Sequence, residues 1–188
     1  MKMSPAAKMI IVLTAVGVIS GGTLAVVYKG AEPKIEQQRI KTLKAAIFTV
    51  LPQAKSYRTE KKDGLVLYRG FNGEGKPVGI AVEVQGPGFQ ATVKLMIGID
   101  NRLEKLLGMQ VLESEETPGL GAKITTLKFR DQFKELAIKP RISYVKNRNP
   151  ATPKKPGQID AISGATISSK AVVDMINKGL SRVLKVLQ

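Results

Sequence analysis

The sequence predicts an α+β fold, in which one N-terminal transmembrane helix is followed by one antiparallel-sheet domain with a C-terminal helix. Three observations support this class. Met9 to Tyr28 is a run of 20 residues without a charged side chain. The middle of the chain alternates apolar and polar residues in short stretches separated by turn residues. A long amphipathic run then closes the chain near Gln188, and no internal repeat or second domain is visible.

The uncharged run Met9–Tyr28 has the properties of a membrane anchor. As a helix rising about 1.5 Å per residue it would be about 30 Å long, the thickness of a bilayer core. It exceeds the roughly 7–15 apolar residues of a signal peptide. It also lacks the polar stripe expected of a core helix. We therefore expect a retained single-span anchor, flanked by Lys2 and Lys8 before it and Lys29 after it.

A second helical pattern follows the anchor, from about Glu32 to Leu51, and Pro52 stops it. Five apolar residues share one face of this predicted stalk helix: Ile40, Leu43, Ile47, Val50 and Leu51. We expect the stalk to pack on the domain. The predicted organisation is therefore a tail and anchor over residues 1–30, a stalk helix over 31–52 and a domain over 53–188.

The domain is predicted to be rich in β-strands. Five strands are expected: Gly64–Gly70, Val78–Val84, Ala91–Ile99, Leu106–Leu112 and Ile142–Val145. The third is predicted to be half-buried and to form a hairpin with the fourth. Thr125 and Thr126 are expected to cap a short helix through Phe133, with Phe129 and Phe133 on one face. A basic, proline-containing loop follows over residues 146–156, including Pro150.

Composition restricts the chemistry that this chain performs alone. Cysteine, histidine and tryptophan are absent, which excludes thiolate metal sites, disulfides and imidazole-based catalysis. Any redox function therefore requires a borrowed organic cofactor. Thirty Lys and Arg against 15 Asp and Glu give a formal charge of +15, which favours anionic partners such as acidic lipids or an acidic protein. The few aromatic residues are not interleaved with basic ones, so we expect no nucleic-acid binding.

Two stretches of the domain are candidates for a binding site. Asp160 to Ser169 is a cluster of small residues and hydroxyls directly before the C-terminal run. It is typical of a loop leading into a helix, where free N–H groups and the helix dipole favour an anion such as phosphate. A hydroxyl that only caps the helix would give the same pattern. Glu115 to Lys123 contains two acids, a proline and two glycines, so it is irregular.

Five residues near the C-terminal run spell the pattern Asp-x-x-Ser/Thr-Gly-Ala-Thr: Asp160, Ser163, Gly164, Ala165 and Thr166. This pattern resembles the flavinylation motif of the FMN-binding subunits of Rnf and Na⁺-translocating NADH:quinone oxidoreductase complexes. The stretch Glu116–Gly121, the hairpin before it and the anchor and stalk also resemble this family, so the likeness covers nearly the whole chain. The short length favours the G subunit of Rnf over the longer C subunit of the quinone reductase.

The resemblance implies covalently bound FMN. A dedicated flavin transferase would link the flavin phosphate to Thr166, and N–H groups at the helix start would hold the phosphate oxygens. Asp160, Ser163 and Gly164 would be recognised mainly by the transferase. Gly164 and Ala165 would keep the backbone small beside the flavin. Since the chain has no histidine, the transferase must activate the Thr166 hydroxyl.

The second stretch would lie against the flavin in this interpretation. The residues expected there are Glu116, Thr117, Leu120, Gly121 and Lys123. Thr117 and Leu120 are the expected direct contacts. Lys123 would favour an anionic reduced ring electrostatically. We expect no metal site and no catalytic residue of the chain's own.

The resemblance also implies a function, partner subunits and a location for the protein. It predicts an electron relay in an ion-translocating ferredoxin:NAD⁺ oxidoreductase, with the other Rnf subunits as partners and the domain outside the cytoplasmic membrane. A literal count of lysines and arginines favours the opposite orientation, but long domains translocate largely regardless of charge. Two alternatives remain. One is the C subunit of the quinone reductase, and the other is a cofactor-free, membrane-tethered basic binding module in which Thr166 is only a helix cap.

Overall fold

The structure is a computed structural model that describes residues 4–149 and 151–187. The chain divides into two units, the first ending at Thr42 and the second beginning at Leu43. Three residues named in the predictions lie outside the described residues. They are Lys2 in the tail, Pro150 in the basic loop and Gln188 at the C-terminus.

The first helix, α1, runs from Pro5 to Val50. It continues without interruption through the predicted boundary between anchor and stalk at residue 30, and it contains Pro33. Among the described residues it is the one helix long and apolar enough to cross a membrane. The side chains of its apolar part are exposed, for example Leu13 at 71% and Val26 at 74%. A core helix of a soluble domain would bury these side chains, whereas a lipid-facing helix exposes them.

Six antiparallel strands form one sheet with the order β1-β2-β3-β4-β5-β6. The strands are β1 (Ser56–Lys62), β2 (Leu65–Phe71), β3 (Pro77–Pro87), β4 (Thr92–Ile99), β5 (Lys105–Glu113) and β6 (Leu136–Ala137). Four predicted strands are confirmed as β2 to β5, and so is the hairpin of β4 with β5. The edge strands β1 and β6 were not predicted. β1 has no apolar alternation and is mostly exposed, and β6 has two residues.

Each face of the sheet is covered by a different helix. The last turn of α1 places Ala46, Ile47 and Val50 against Ala81 and Met96. The C-terminal helix α3, Thr166–Leu187, covers the opposite face. The prediction that β4 is half-buried is therefore wrong, because the end of α1 buries the face that would otherwise meet solvent.

A short helical region follows β5. It consists of a 3₁₀ turn at Gly121–Thr125, the helix α2 at Leu127–Arg130 and a second 3₁₀ turn at Asp131–Phe133. The predicted contact of Phe129 with Phe133 is confirmed, with ring centroids 5.4 Å apart. The prediction that the hydroxyls of Thr125 and Thr126 cap the short helix is wrong. The Thr126 hydroxyl donates back to the Lys123 carbonyl at 2.7 Å, because the preceding 3₁₀ turn leaves that oxygen within reach.

Two short parallel strands lead to α3. They are β7 (Ser143–Val145), which confirms the last predicted strand, and β8 (Gln158–Asp160). Asp160 was expected in a loop, but it is the last residue of β8 and pairs with Val145. This ladder fixes where the chain enters the turn before α3.

Candidate functional site

The site is built around the first residue of α3, Thr166. A turn precedes it, in which the Ala165 N–H donates to the Ile162 carbonyl at 3.0 Å. Gly164 lies in this turn with φ of +80°, a conformation that glycine adopts without strain. The first bond of the helix runs from the Ser169 N–H to the Ala165 carbonyl at 3.1 Å. Ala165, rather than Thr166, therefore occupies the N-cap position.

The four hydroxyls around this helix start differ in accessibility. Ser168 and Ser169 are buried, at 4% and 0% exposed. The Ser169 hydroxyl accepts from the Ile162 N–H at 2.9 Å and donates to the Ala165 carbonyl at 3.0 Å. Thr166 is half-buried and Ser163 is exposed, and their hydroxyls make no hydrogen bond to the described residues. Of the four hydroxyls, these two are available for modification.

The start of α3 also presents free donors. Within residues 4–149 and 151–187, the N–H groups of Thr166, Ile167 and Ser168 have no acceptor. They point out of the first turn of a helix of 22 residues, where the helix dipole adds partial positive charge. A phosphate attached beside this turn would meet three unpaired donors.

Glu116 connects this helix start to two other segments. Its side chain is 5% exposed. One carboxylate oxygen accepts from the N–H groups of Phe89 at 2.6 Å and Gln90 at 3.1 Å. The other accepts from the Ser168 hydroxyl at 2.5 Å. Gly121 lies so close that an added Cβ would meet the Glu116 carboxylate and the Ser168 hydroxyl. The carboxylate therefore has a structural role at the centre of the site.

The loop Glu116–Gly121 lies beside the motif. Leu120 is 47% exposed, and its Cδ2 atom lies 3.5 Å from where a Cβ on Gly164 would be. The Thr117 hydroxyl donates to the Gln90 side-chain oxygen at 2.8 Å. Sequence reasoning missed Phe89 and Gln90. Nothing in the sequence indicated the contact of their N–H groups with Glu116.

A cleft of about 800 Å³ opens next to the motif. Its lining residues are Lys123, Thr126, Lys128, Phe129, Gln132, Asn147, Arg148, Lys154, Asp160, Ala161, Ile162 and Ser163. Three predicted site residues, Lys123, Asp160 and Ser163, thus lie on its wall. Four of the lining residues are cationic and one is acidic.

Asp160 organises the wall of this cleft. Its carboxylate accepts from Arg148 at 2.7 and 3.2 Å and pairs with Lys154 at 3.0 Å. The hydrogen bond from Arg148 lowers the pKa of Asp160, and the bond from Lys154 adds to this, while burial opposes both. The same contact raises the pKa of the Arg148 guanidinium. The Gln132 side-chain oxygen accepts from the Asp160 backbone N–H at 2.8 Å, and the Gln132 amide nitrogen donates to the Asp160 carbonyl at 3.2 Å. Neither Arg148 nor Gln132 was predicted as a site residue.

The sequence profile of the FMN-binding domain family matches residues 88–181, half of the chain and all of the site described above. This chain belongs to the FMN-binding domain family. The resemblance drawn from the motifs is thereby confirmed.

Curated relatives share most of the length of this family member. The G subunit of an ion-translocating oxidoreductase complex from Methanosarcina acetivorans is 34% identical over 94% of this chain and 93% of the relative. The G subunit of the Na⁺-translocating ferredoxin:NAD⁺ oxidoreductase complex from Acetobacterium woodii is 29% identical over 92% and 89%.

Solved structures share the fold. NqrC from Shewanella oneidensis superposes with a TM-score of 0.57 at 20% identity, over 70% of this chain and 67% of that protein. The C subunit of the Na⁺-translocating NADH-quinone reductase from Parabacteroides distasonis gives 0.54 at 27% identity, over 66% and 62%. The α+β architecture of an FMN-binding domain is thus confirmed.

Proposed function

We propose that this chain is the covalent-FMN electron-relay subunit of a membrane-bound, ion-translocating oxidoreductase complex of the Rnf type. It passes electrons between neighbouring redox subunits and has no turnover of a small substrate alone. One observation carries the proposal. Thr166, the last residue of the flavinylation pattern in an FMN-binding domain, has a half-buried hydroxyl without a partner among the described residues at the start of α3.

The residues around Thr166 fit a bound flavin phosphate. Three free N–H groups of the first turn of α3 are placed to hold its oxygens. Leu120, half-exposed beside Gly164, offers an apolar contact for the ring. FMN supplies one-electron and two-electron redox chemistry, which no side chain of this chain provides. Lys123 is placed to favour negative charge on the ring, since it lines the same cleft as Ser163.

The attachment requires another protein. In the proposed ester a Thr166 Oγ–P bond replaces the Oγ–H bond, and the proton leaves with the leaving group of an activated flavin donor. A flavin transferase supplies both the donor and the base, since no histidine is present. The role of Thr166 as a plain helix cap receives no support, because its hydroxyl makes no capping bond to the described residues and Ala165 occupies the N-cap position.

Helix α1 and the named relatives support a membrane placement. One apolar helix fits a single-pass membrane protein, and the relatives are subunits of ion-translocating complexes. We place the domain on the extracytoplasmic side. The absence of cysteine allows a direct test, because an introduced Lys61→Cys on exposed β1 would be the one thiol in the chain. A membrane-impermeant maleimide should label it in intact cells. Labelling only after lysis would reverse the orientation.

The attachment is tested by intact mass and peptide mass spectrometry of the full chain expressed with the flavin transferase. We expect one FMN on the Thr166 peptide and none on Thr166→Val, while Ser163→Thr, a control that keeps the flavinylation pattern, retains it. An unmodified wild-type mass would overturn the proposal. FMN retained by Thr166→Val under denaturing conditions would place the ester on Ser163 instead.

The second candidate is the C subunit of a Na⁺-translocating NADH:quinone reductase, which the fold likeness to NqrC favours. It would carry the same cofactor but work with other partners. Purification of the tagged chain from its own cells separates the two. Iron–sulfur subunits that accept ferredoxin electrons support the Rnf type, whereas a quinone-reducing assembly supports this alternative.

A further inference from the structure

The exposed large apolar side chains of the domain lie on the segments that build the site. Among the described residues after Thr42, four such side chains are exposed: Phe89 at 63%, Leu120 at 47%, Leu127 at 65% and Ile167 at 59%. Ile167 follows Thr166 directly, and Leu120 lies beside Gly164. We refer to these four residues as the apolar patch.

The members of the apolar patch are held by the same contacts that build the site. The Phe89 N–H binds Glu116, and the Ser168 hydroxyl next to Ile167 binds the same carboxylate. Leu127 starts α2 between Thr126 and Lys128, which line the cleft together with Ser163. The patch is thus drawn from separate segments on a fixed scaffold. It is not one face of an amphipathic helix, the form that membrane-surface binding usually takes.

The cleft next to the patch is strongly basic. Lys123, Lys128, Arg148 and Lys154 line it, and Asp160 is the one acid in the lining. Asp160 already pairs with Arg148 and Lys154. Lys123 and Lys128 are exposed and form no ion pair within the described part of the chain. The neighbouring loop carries one exposed acid, Glu115. Its single negative charge does not balance the two positive charges of Lys123 and Lys128.

We propose that the apolar patch and this basic cleft form the docking face for a carboxylate-rich surface of an electron-exchanging partner subunit. The inference rests on the proposed function, since a partner that exchanges electrons with a flavin on Thr166 must dock on the surface around this residue. Contacts that transfer electrons are small and transient, and their charge complementarity sets the encounter rate. Four apolar side chains beside unpaired lysines match that kind of interface.

The test compares two variants of the full chain in the assembled, detergent-solubilised complex. The first combines Leu127→Ser with Lys128→Glu. Because Lys128 lines the cleft, the midpoint potential of the flavin is also measured in each variant and should stay unchanged. The control is Lys61→Glu, which makes the same charge reversal on β1, at the opposite edge of the sheet from β6. Flavin content is measured by mass in each.

We expect three results. A carbodiimide should couple Lys128 of the unaltered chain to an Asp or Glu of another subunit. The double variant should slow reduction of the FMN by that subunit about tenfold at low salt. The difference in rate between the double variant and the unaltered chain should shrink as the salt concentration rises. The Lys61→Glu control should behave like the unaltered chain.

Two other results would refute the proposed docking face. One is coupling of Lys128 only within its own chain, and the other is an equal rate of FMN reduction in the double variant and the control. Binding of the unaltered complex to vesicles of anionic lipid, lost in the double variant while reduction by the subunit is unchanged, would assign the face to the membrane. Absence of FMN from the unaltered chain would refute the proposed function, but carbodiimide coupling and co-purification would still decide the docking face.

Discussion

Glu116 and Ser168 are joined by a 2.5 Å hydrogen bond between side chains 52 positions apart in the chain. The same carboxylate receives the N–H groups of Phe89 and Gln90. One buried acid therefore connects the turn after β3, the loop after β5 and the first turn of α3. The flavin-bearing residue that we propose, Thr166, lies two positions from this connection.

The first prediction concerns the stability that Glu116 provides. Glu116→Ala leaves three donors without an acceptor, and each bond to a charged group is worth about 1.5–3 kcal/mol before the site relaxes. We expect a loss of at least about 2 kcal/mol in the free energy of unfolding, measured by urea denaturation of the full chain in detergent. Glu116→Gln should lose less, because the Ser168 hydroxyl can rotate to accept from the amide.

Glu115→Ala is the matched control for this prediction. Glu115 is the preceding acid on the same loop, and its side chain is exposed. Its replacement should change the unfolding free energy by less than about 0.5 kcal/mol. Equal effects of Glu115→Ala and Glu116→Ala would contradict the structural role of Glu116.

The second prediction uses the close approach at Gly121. A Cβ at this position would lie 2.7 Å from the Ser168 hydroxyl oxygen and still closer to the Glu116 carboxylate. Gly121→Ala must therefore separate the two side chains, and we expect a destabilisation of about 1–3 kcal/mol. Gly73→Ala, where an added Cβ meets nothing within 4 Å, serves as the control. An unfolding midpoint of Gly121→Ala equal to that of Gly73→Ala would refute this packing.

Much of the fold was predictable because it depends on local periodicity. Strands β2 to β5 carry apolar alternation, and α3 carries one apolar stripe. β1 was missed because its stretch, Ser-Tyr-Arg-Thr-Glu-Lys-Lys, is polar and its pairing with β2 decides its conformation. The burial of Met96 was missed because it depends on the distant end of α1.

The site was predictable only in its motifs. The pattern ending at Thr166 and the loop Glu116–Gly121 were recognised by resemblance. The contacts between them were not, since they join residues that are far apart in the chain. Arg148 and Lys154 appeared in the sequence only as part of a basic loop, and their pairing with Asp160 depends on the ladder of β7 with β8.

The third prediction is a pH dependence carried by Asp160. The pKa of this carboxyl is lowered in the folded chain, mainly by Arg148. A lowered folded pKa gives stability that is present above the unfolded pKa of about 3.9 and is lost as the pH falls through the folded value. The stability difference between wild type and Asp160→Asn should be at most about 1 kcal/mol at pH 7, since the pair is partly exposed.

Urea denaturation from pH 7 down to pH 2.5 measures this effect. The difference between wild type and Asp160→Asn should stay constant down to about pH 4 and shrink below it. Asp63→Asn is the control, because this position has φ of +45°, which Asn tolerates as well as Asp. A difference for Asp160→Asn that does not depend on pH would show that the ion pair adds nothing to stability.

The last prediction separates attachment from tuning of the flavin. Thr117 lies on the loop beside Gly164, and its hydroxyl donates to the Gln90 side chain. Thr117→Val keeps the volume but removes the donor, so Gln90 loses its partner and the polarity beside the ring changes. We expect the mass of the Thr166 peptide to keep its FMN while the flavin absorption maximum or midpoint potential shifts. Thr125→Val removes a hydroxyl that donates to the Ala122 carbonyl, and it should shift neither. An unchanged spectrum and potential in Thr117→Val would place Thr117 away from the flavin.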